Sequence, residues 1–255
     1  MNRSNESPTP RNAAAFRWRW IFRDRSVLGV VITFAFGAGL LLWQVSHLQE
    51  ELYRDSAIQS ARLYAEAIAT FRTLYTSEVV TTLKEIGIEV SHDYRTRDGT
   101  VPLPATLSML IGKELGRAEF GAETHLYSGY PFPWRQTDHD ALFADGADGS
   151  ASFPARAWQH WQDNPGDESA FFEFTDGKLL FATADRMRSS CVGCHNTVAE
   201  SPKTDWELGD VRGILQVDFP VEHLAAQSRA RLRDFYLFSG IFMALGGLAI
   251  VVALA

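Results

Sequence analysis

Cys191, Cys194 and His195 form a C-x-x-C-H run, and its cysteines are the only two in the chain. This pattern is the one used for c-type haem attachment. Each thiol adds across a haem vinyl group to give a thioether, and the histidine after the second cysteine is placed to offer its imidazole to the iron. A structural zinc site needs four ligands, usually from a second Cys/His pair at close spacing, and the sequence has no such pair. A thioredoxin-type redox pair belongs at the start of a helix in a βαβ unit, whereas this run follows a strand-like segment and a loop. The residues therefore predict one covalently attached haem c, with His195 as the proximal iron ligand.

Such a haem is attached outside the bacterial cytoplasm, so the chain has to be exported. Residues 26–46 and 235–255 carry no charged side chain. As helices each would be roughly 31 Å long, against a bilayer hydrocarbon core of about 30 Å. Both are apolar on all faces, and Trp20 and Trp43 bracket the first at interfacial positions. Two transmembrane helices are expected. Arg3, Arg11, Arg17, Arg19, Arg23 and Arg25 precede the first span against Glu6 and Asp24, which keeps the N-terminus in the cytoplasm and puts the haem motif outside. Arg229, Arg231 and Arg233 argue the other way but are fewer. No A-x-A-like cleavage site follows the first apolar run, so it reads as an uncleaved anchor. The expected organisation is a basic cytoplasmic tail (1–25), a first span (26–46), a periplasmic haem domain (47–234) and a second span (235–255), a two-pass protein of the bacterial inner membrane.

The net charge of −7 averages a basic tail with an acidic exported domain. Nucleic-acid binding has no support, since the arginines beside Phe16, Trp18 and Trp20 match a membrane anchor touching anionic headgroups.

The elements that must position the motif can be read from pattern. No glycine or proline occurs between Gly39 and Gly87, so a helix can run unbroken from the first span into the domain. Ile68, Phe71, Tyr75, Val79, Leu83 and Ile86 recur along it at helical spacing, as a core stripe or dimer seam. Residues 105–115 and 155–163 read as helices and 124–128 as a strand. Runs at 171–175 and 178–184 flank Asp176-Gly177, a hairpin signal. Val211, Gly213, Leu215, Val217 and Phe219 alternate as in a half-buried strand, and 221–234 is helical in composition, leading into the second span. The fold class expected is α+β: a PAS- or Cache-like antiparallel sheet with a long N-terminal helix, flanked by two transmembrane helices.

The stretches TLYTSEVV (73–80), VPLPATLSM (101–109), YPFPWR (130–135), CVGCHN (191–196) and SPKTDWELGDVRG (201–213) resemble a family of extracytoplasmic c-type haem domains. Members have a PAS-like fold and occur at the N-termini of bacterial transmembrane cyclases, histidine kinases and chemoreceptors. The resemblance covers roughly residues 48–222. It implies Cys191 and Cys194 as the haem attachment points and His195 as proximal ligand. In one branch the sixth ligand is a cysteine on the helix before the sheet. No third cysteine exists here; in the matching stretch, 104–115, Met109 is the candidate, with His92 in the preceding loop as runner-up. Arg186 and Arg188, just upstream of the motif, are candidates to pair with the haem propionates, because a guanidinium matches a carboxylate fork. Trp206 either covers the haem or packs in the core.

The function expected is sensing in a homodimer. A redox or small-ligand event at the iron displaces the helices that cross the membrane, and the signal passes to a cytoplasmic output domain or partner such as a nucleotide cyclase. The alternative is a monohaem cytochrome that relays electrons within a membrane complex. No residues for cyclase chemistry occur in the chain.

Overall fold

The computed structural model describes residues 25–117, 121–175 and 177–253. The arginines at 3–23 and Trp20, on which the orientation argument rests, lie outside the described residues. The chain divides into two compact units, Arg54–His223 and a second composed of Met1–Tyr53 with Leu224–Ala255. In the second unit the Ser46 and Tyr236 hydroxyls share a hydrogen bond. Among the described residues one segment, Ala230–Ala249, is long and apolar enough to cross a membrane. The expected pair of spans is thus reduced to one candidate, at the C-terminal end.

Helix α1 (Arg25–Leu74) passes into a π-helical turn (Tyr75–Val80) and a short α2 (Thr81–Glu85). Two short strands, β1 (Glu89–Ser91) and β2 (Thr100–Pro102), pair in parallel, and α3 (Pro104–Gly116) comes next with Pro104 in its first turn. Proline suits that position because its missing N–H would have no intrahelical partner there. The chain continues through β3 (Glu123–Tyr127), a 3₁₀ turn (Pro133–Arg135), α4 (Gln136–Phe143) and α5 (Phe153–Asp163). The Ser152 side chain caps α5 by accepting from Ala155 N–H. Strands β4 (Phe171–Thr175) and β5 (Lys178–Arg186), helix α6 (Ser189–His195), strand β6 (Val211–Pro220) and helix α7 (Glu222–Ala253) complete the chain.

The main sheet has order β3-β6-β5-β4 and is antiparallel throughout. The β4–β5 hairpin turns through Gly177, whose φ of +76° is a conformation open chiefly to glycine. One sheet face supplies Tyr127, Ala182 and Ile214 to a core with Phe153, Ala157 and Trp161 of α5. The other face carries Leu179, Phe181, Leu215 and Val217, all buried. There α1 crosses: its Arg54 and Arg62 guanidinium groups lie over the Phe174 and Phe181 rings. The inward stripe of α1 is Ala57, Ala61, Ala65, Ile68 and Arg72, every one buried. Its small residues let the helix backbone approach the sheet closely, and its last member is a charge in a core position.

Beyond Arg72 the expected stripe fails. Val79, expected inward, is 41% exposed, while Val80 is 5% exposed. The cause is the π turn, in which Thr81 N–H bonds Thr76 C=O, five residues back. That extra residue rotates the side chains beyond it by one position.

Candidate cofactor site

The C-x-x-C-H run comes after strand β5, as expected, and is itself wound into α6. Strands β5 and β6 on either side of it are antiparallel neighbours, so the βαβ setting of a thioredoxin-type pair is absent here. The entry to α6 is fixed by Met187, buried and bonded through its backbone N–H to Asp210 C=O and through its C=O to Gly209 N–H. The exit is fixed by Asn196. Its amide donates to Trp206 C=O and accepts from Trp206 N–H, each at 2.9 Å.

At i and i+3 on this helical turn, Cys191 and Cys194 lie on one side, both as free, half-buried thiols. The Lys84 ammonium, on α2, donates to Cys194 Sγ at 2.7 Å. His195 meets the edge of Phe132 at 5.7 Å between ring centroids. Burial, then the positive charge of Arg212, push its pKa down to about 4, against the opposing pull of Asp185. The imidazole is therefore neutral near pH 7, the form that can offer a lone pair to a metal.

Beside the motif lies a buried charge cluster. Arg72 of α1 pairs with Asp185 of β5. Arg212 of β6 grips the same carboxylate, Nε to Oδ2 at 2.8 Å and Nη2 to Oδ1 at 3.3 Å, and lies close enough to Cys191 for the two side chains to interact electrostatically. Burial by itself would raise the Asp185 carboxyl, but Arg212 and Arg72 hold it below the usual carboxylate range. Burial also lowers the Arg72 pKa. Arg188 adds a third guanidinium, donating to Thr73 Oγ1. Two buried donors, Nε and Nη1 of Arg72, have no acceptor among the described residues. Free thiols, a neutral imidazole and uncompensated buried positive charge together fit an anionic iron cofactor attached through sulfur.

The other sequence candidates are distributed unevenly. His92, in the turn after β1, stacks on Trp134 at 4.2 Å; Trp134 stacks on Phe132 at 4.7 Å, and Phe132 meets His195. The runner-up ligand thus belongs to the aromatic layer that begins at His195. Met109 sits half-buried on α3, which packs on β3 and the π turn. Arg186 donates to the carbonyls of Pro165 at 2.6 Å, Asp167 at 2.7 Å and Gly209 at 3.1 Å, so its guanidinium is committed to tying loops together. Trp206 is buried, edge-on to Tyr130 at 5.5 Å. Arg72, Asp185 and Arg212 were not singled out from sequence. The available signal was polar residues in apolar phase: an arginine four places after Ile68 on the inward stripe, and an aspartate on the same strand face as Leu179 and Phe181.

Comparison with known proteins decides the relationship. A family model described as Tll0287-like matches residues 49–220. The chain belongs to the Tll0287-like family. No curated protein matches it. Among solved structures it is similar to the crystal structure of the cyanobacterial heme-protein Tll0287, at 15% identity and a TM-score of 0.38, over 64% of this chain and 94% of that one. The Tll0287-like region contains the whole motif helix and the charge cluster.

Proposed function

We propose that this Tll0287-like chain is a membrane-anchored, periplasmic c-type haem sensor that passes a redox or small-ligand signal across the membrane to a cytoplasmic output such as a nucleotide cyclase. The carrying observation is one helical turn that presents two free thiols and a neutral, half-buried imidazole beside buried arginine donors without acceptors. The cofactor reported for Tll0287 itself, a heme, is of the kind these groups suit. Bound haem would supply a redox-active iron that a small molecule can address by displacing a labile ligand.

The chain's own residues divide the work. Cys191 and Cys194 would hold a single haem covalently, and His195 would offer its imidazole to the iron. The Asn196–Trp206 clamp keeps the imidazole from swinging with the end of α6. His92, in the same aromatic layer as His195, would be the further residue offered to the iron ahead of Met109. Ala230–Ala249 anchors the chain in the bilayer, α1 and α7 carry the signal, and a homodimer supplies the partner helices.

Protein made with the cytochrome c maturation machinery should gain the mass of one haem that survives acid–acetone extraction, and C191A or C194A should lose the double linkage. His92→Ala should abolish the low-spin spectrum, while Met109→Ala should leave it intact. Freely extractable haem in the wild type overturns the reading. Spin labels at Leu52 and Leu232 separate sensing from electron relay: a sensor changes their separation on reduction or ligand binding, and a relay does not.

A further inference from the structure

We infer that Arg72, flanked by Arg188 and Arg212, binds the propionate edge of the haem and so ties helix α1 to the cofactor; this rests on the haem reading above. Arg72 is 2% exposed, yet its Nε and Nη1 donors are unpaired. A buried guanidinium with unpaired donors calls for a further acceptor, because such groups are otherwise hydrogen-bonded.

Asp185 does not serve these donors: it accepts from Arg212 Nε and Nη2, and Arg72 reaches it with Nη2 alone. Charge points the same way. Among the described residues, Arg72 and Arg212 share the one carboxylate of Asp185, and the charge of the nearby Arg188 adds to theirs, so positive charge is in excess there. A water molecule would satisfy an N–H but leave the charge uncompensated. A carboxylate satisfies both, and the planar fork of arginine matches it in geometry. Haem presents two propionate carboxylates on one edge.

Arg72 is also where helix and motif meet. Its neighbour Thr73 accepts from Arg188, just before α6, and Lys84 donates to Cys194 from beyond the π turn. The π turn lies between these two grips on the motif, so a change at the propionate edge acts directly on its N-terminal side.

The test uses the haem-loaded full-length protein with Arg72→Lys and Arg72→Met, and Arg156→Gln as a surface-charge control whose ion pair with Glu173 lies away from the cluster. Both Arg72 variants should keep covalent haem by mass and shift the propionate-bending band in the resonance Raman spectrum. Arg72→Met removes a positive charge that favours the reduced iron. Its midpoint potential should therefore fall by about 59 mV, a tenfold change in the oxidised-to-reduced ratio for one electron; Arg72→Lys, which keeps the charge, should fall less, and Arg156→Gln should match the wild type. Should neither Arg72 variant fold, the wild type alone decides: exchange of N–H donors in D2O should shift the same band, and no shift overturns the assignment. Haem-loaded variants with band and potential unchanged also overturn it, leaving the haem reading intact. A wild type without covalent haem overturns both.

Discussion

Among the described residues, Asp185 is the carboxylate that pairs with both Arg72 and Arg212 in the buried cluster, and its loss exposes what the cluster costs. Breaking a buried ion pair by removing one partner typically destabilises by about 3–5 kcal/mol, because the surviving charge remains desolvated. Asp185→Asn should lower stability by that order at neutral pH, measured by urea unfolding; an unchanged midpoint would show that the cluster is not energetically coupled. The sign with pH is set by the depressed carboxyl. Its stabilisation is fully present above the unfolded value of about 3.9 and is lost as pH falls through the lower folded value. An acid titration should show this loss in the wild type and not in Asp185→Asn.

At the scale of elements, the site depends on how closely β6 lies against β3. A Cβ on Gly213 would stand 2.6 Å from the Tyr127 carbonyl oxygen, a backbone atom that cannot swing away. Gly213→Ala should cost about 1–3 kcal/mol by forcing these strands apart. Urea melts should show a lower midpoint with unchanged slope, and wild-type stability would mean that the strands separate freely. Elements built on local pattern were legible in the sequence. The Asp-Gly turn marked the β4–β5 hairpin, alternation marked β6, and residues 105–115 and 155–163 marked α3 and α5. The C-x-x-C-H chemistry was legible for the same reason, since its spacing is contained in one turn. The Arg72–Asp185 pair was not, because its partners are 113 residues apart and meet only when α1 crosses the sheet. The same applies to His92 and Trp134, brought together by two loops. Helix α4 lacks a strong apolar period, and a π turn has no sequence signature beyond the failure of the stripe it displaces.

On the scale of the whole molecule, the Tll0287-like region begins inside α1 and ends with β6, so the family relationship includes the inward stripe, the π turn and the sheet but not the candidate membrane helix. A turn holding one residue more than the α-helix requires is slack wound into an otherwise taut cable. Passing that surplus to a neighbouring turn would rotate the intervening side chains by about 100° and shift them about 1.5 Å along the axis, while both ends keep their seats. Such a ratchet moves parts without melting them. Ser77 is exposed within the turn, and deleting it should leave a regular α-helix with Arg72 and Val80 still facing inward. The shortened protein should fold and hold its cofactor, and its amides at 75–80 should exchange with solvent more slowly than in the wild type. Faster exchange there would mean that the surplus residue braces the helix. Slower exchange, with motion between redox states lost, would make residues 75–80 the place where one inserted amino acid turned a strut into a moving part.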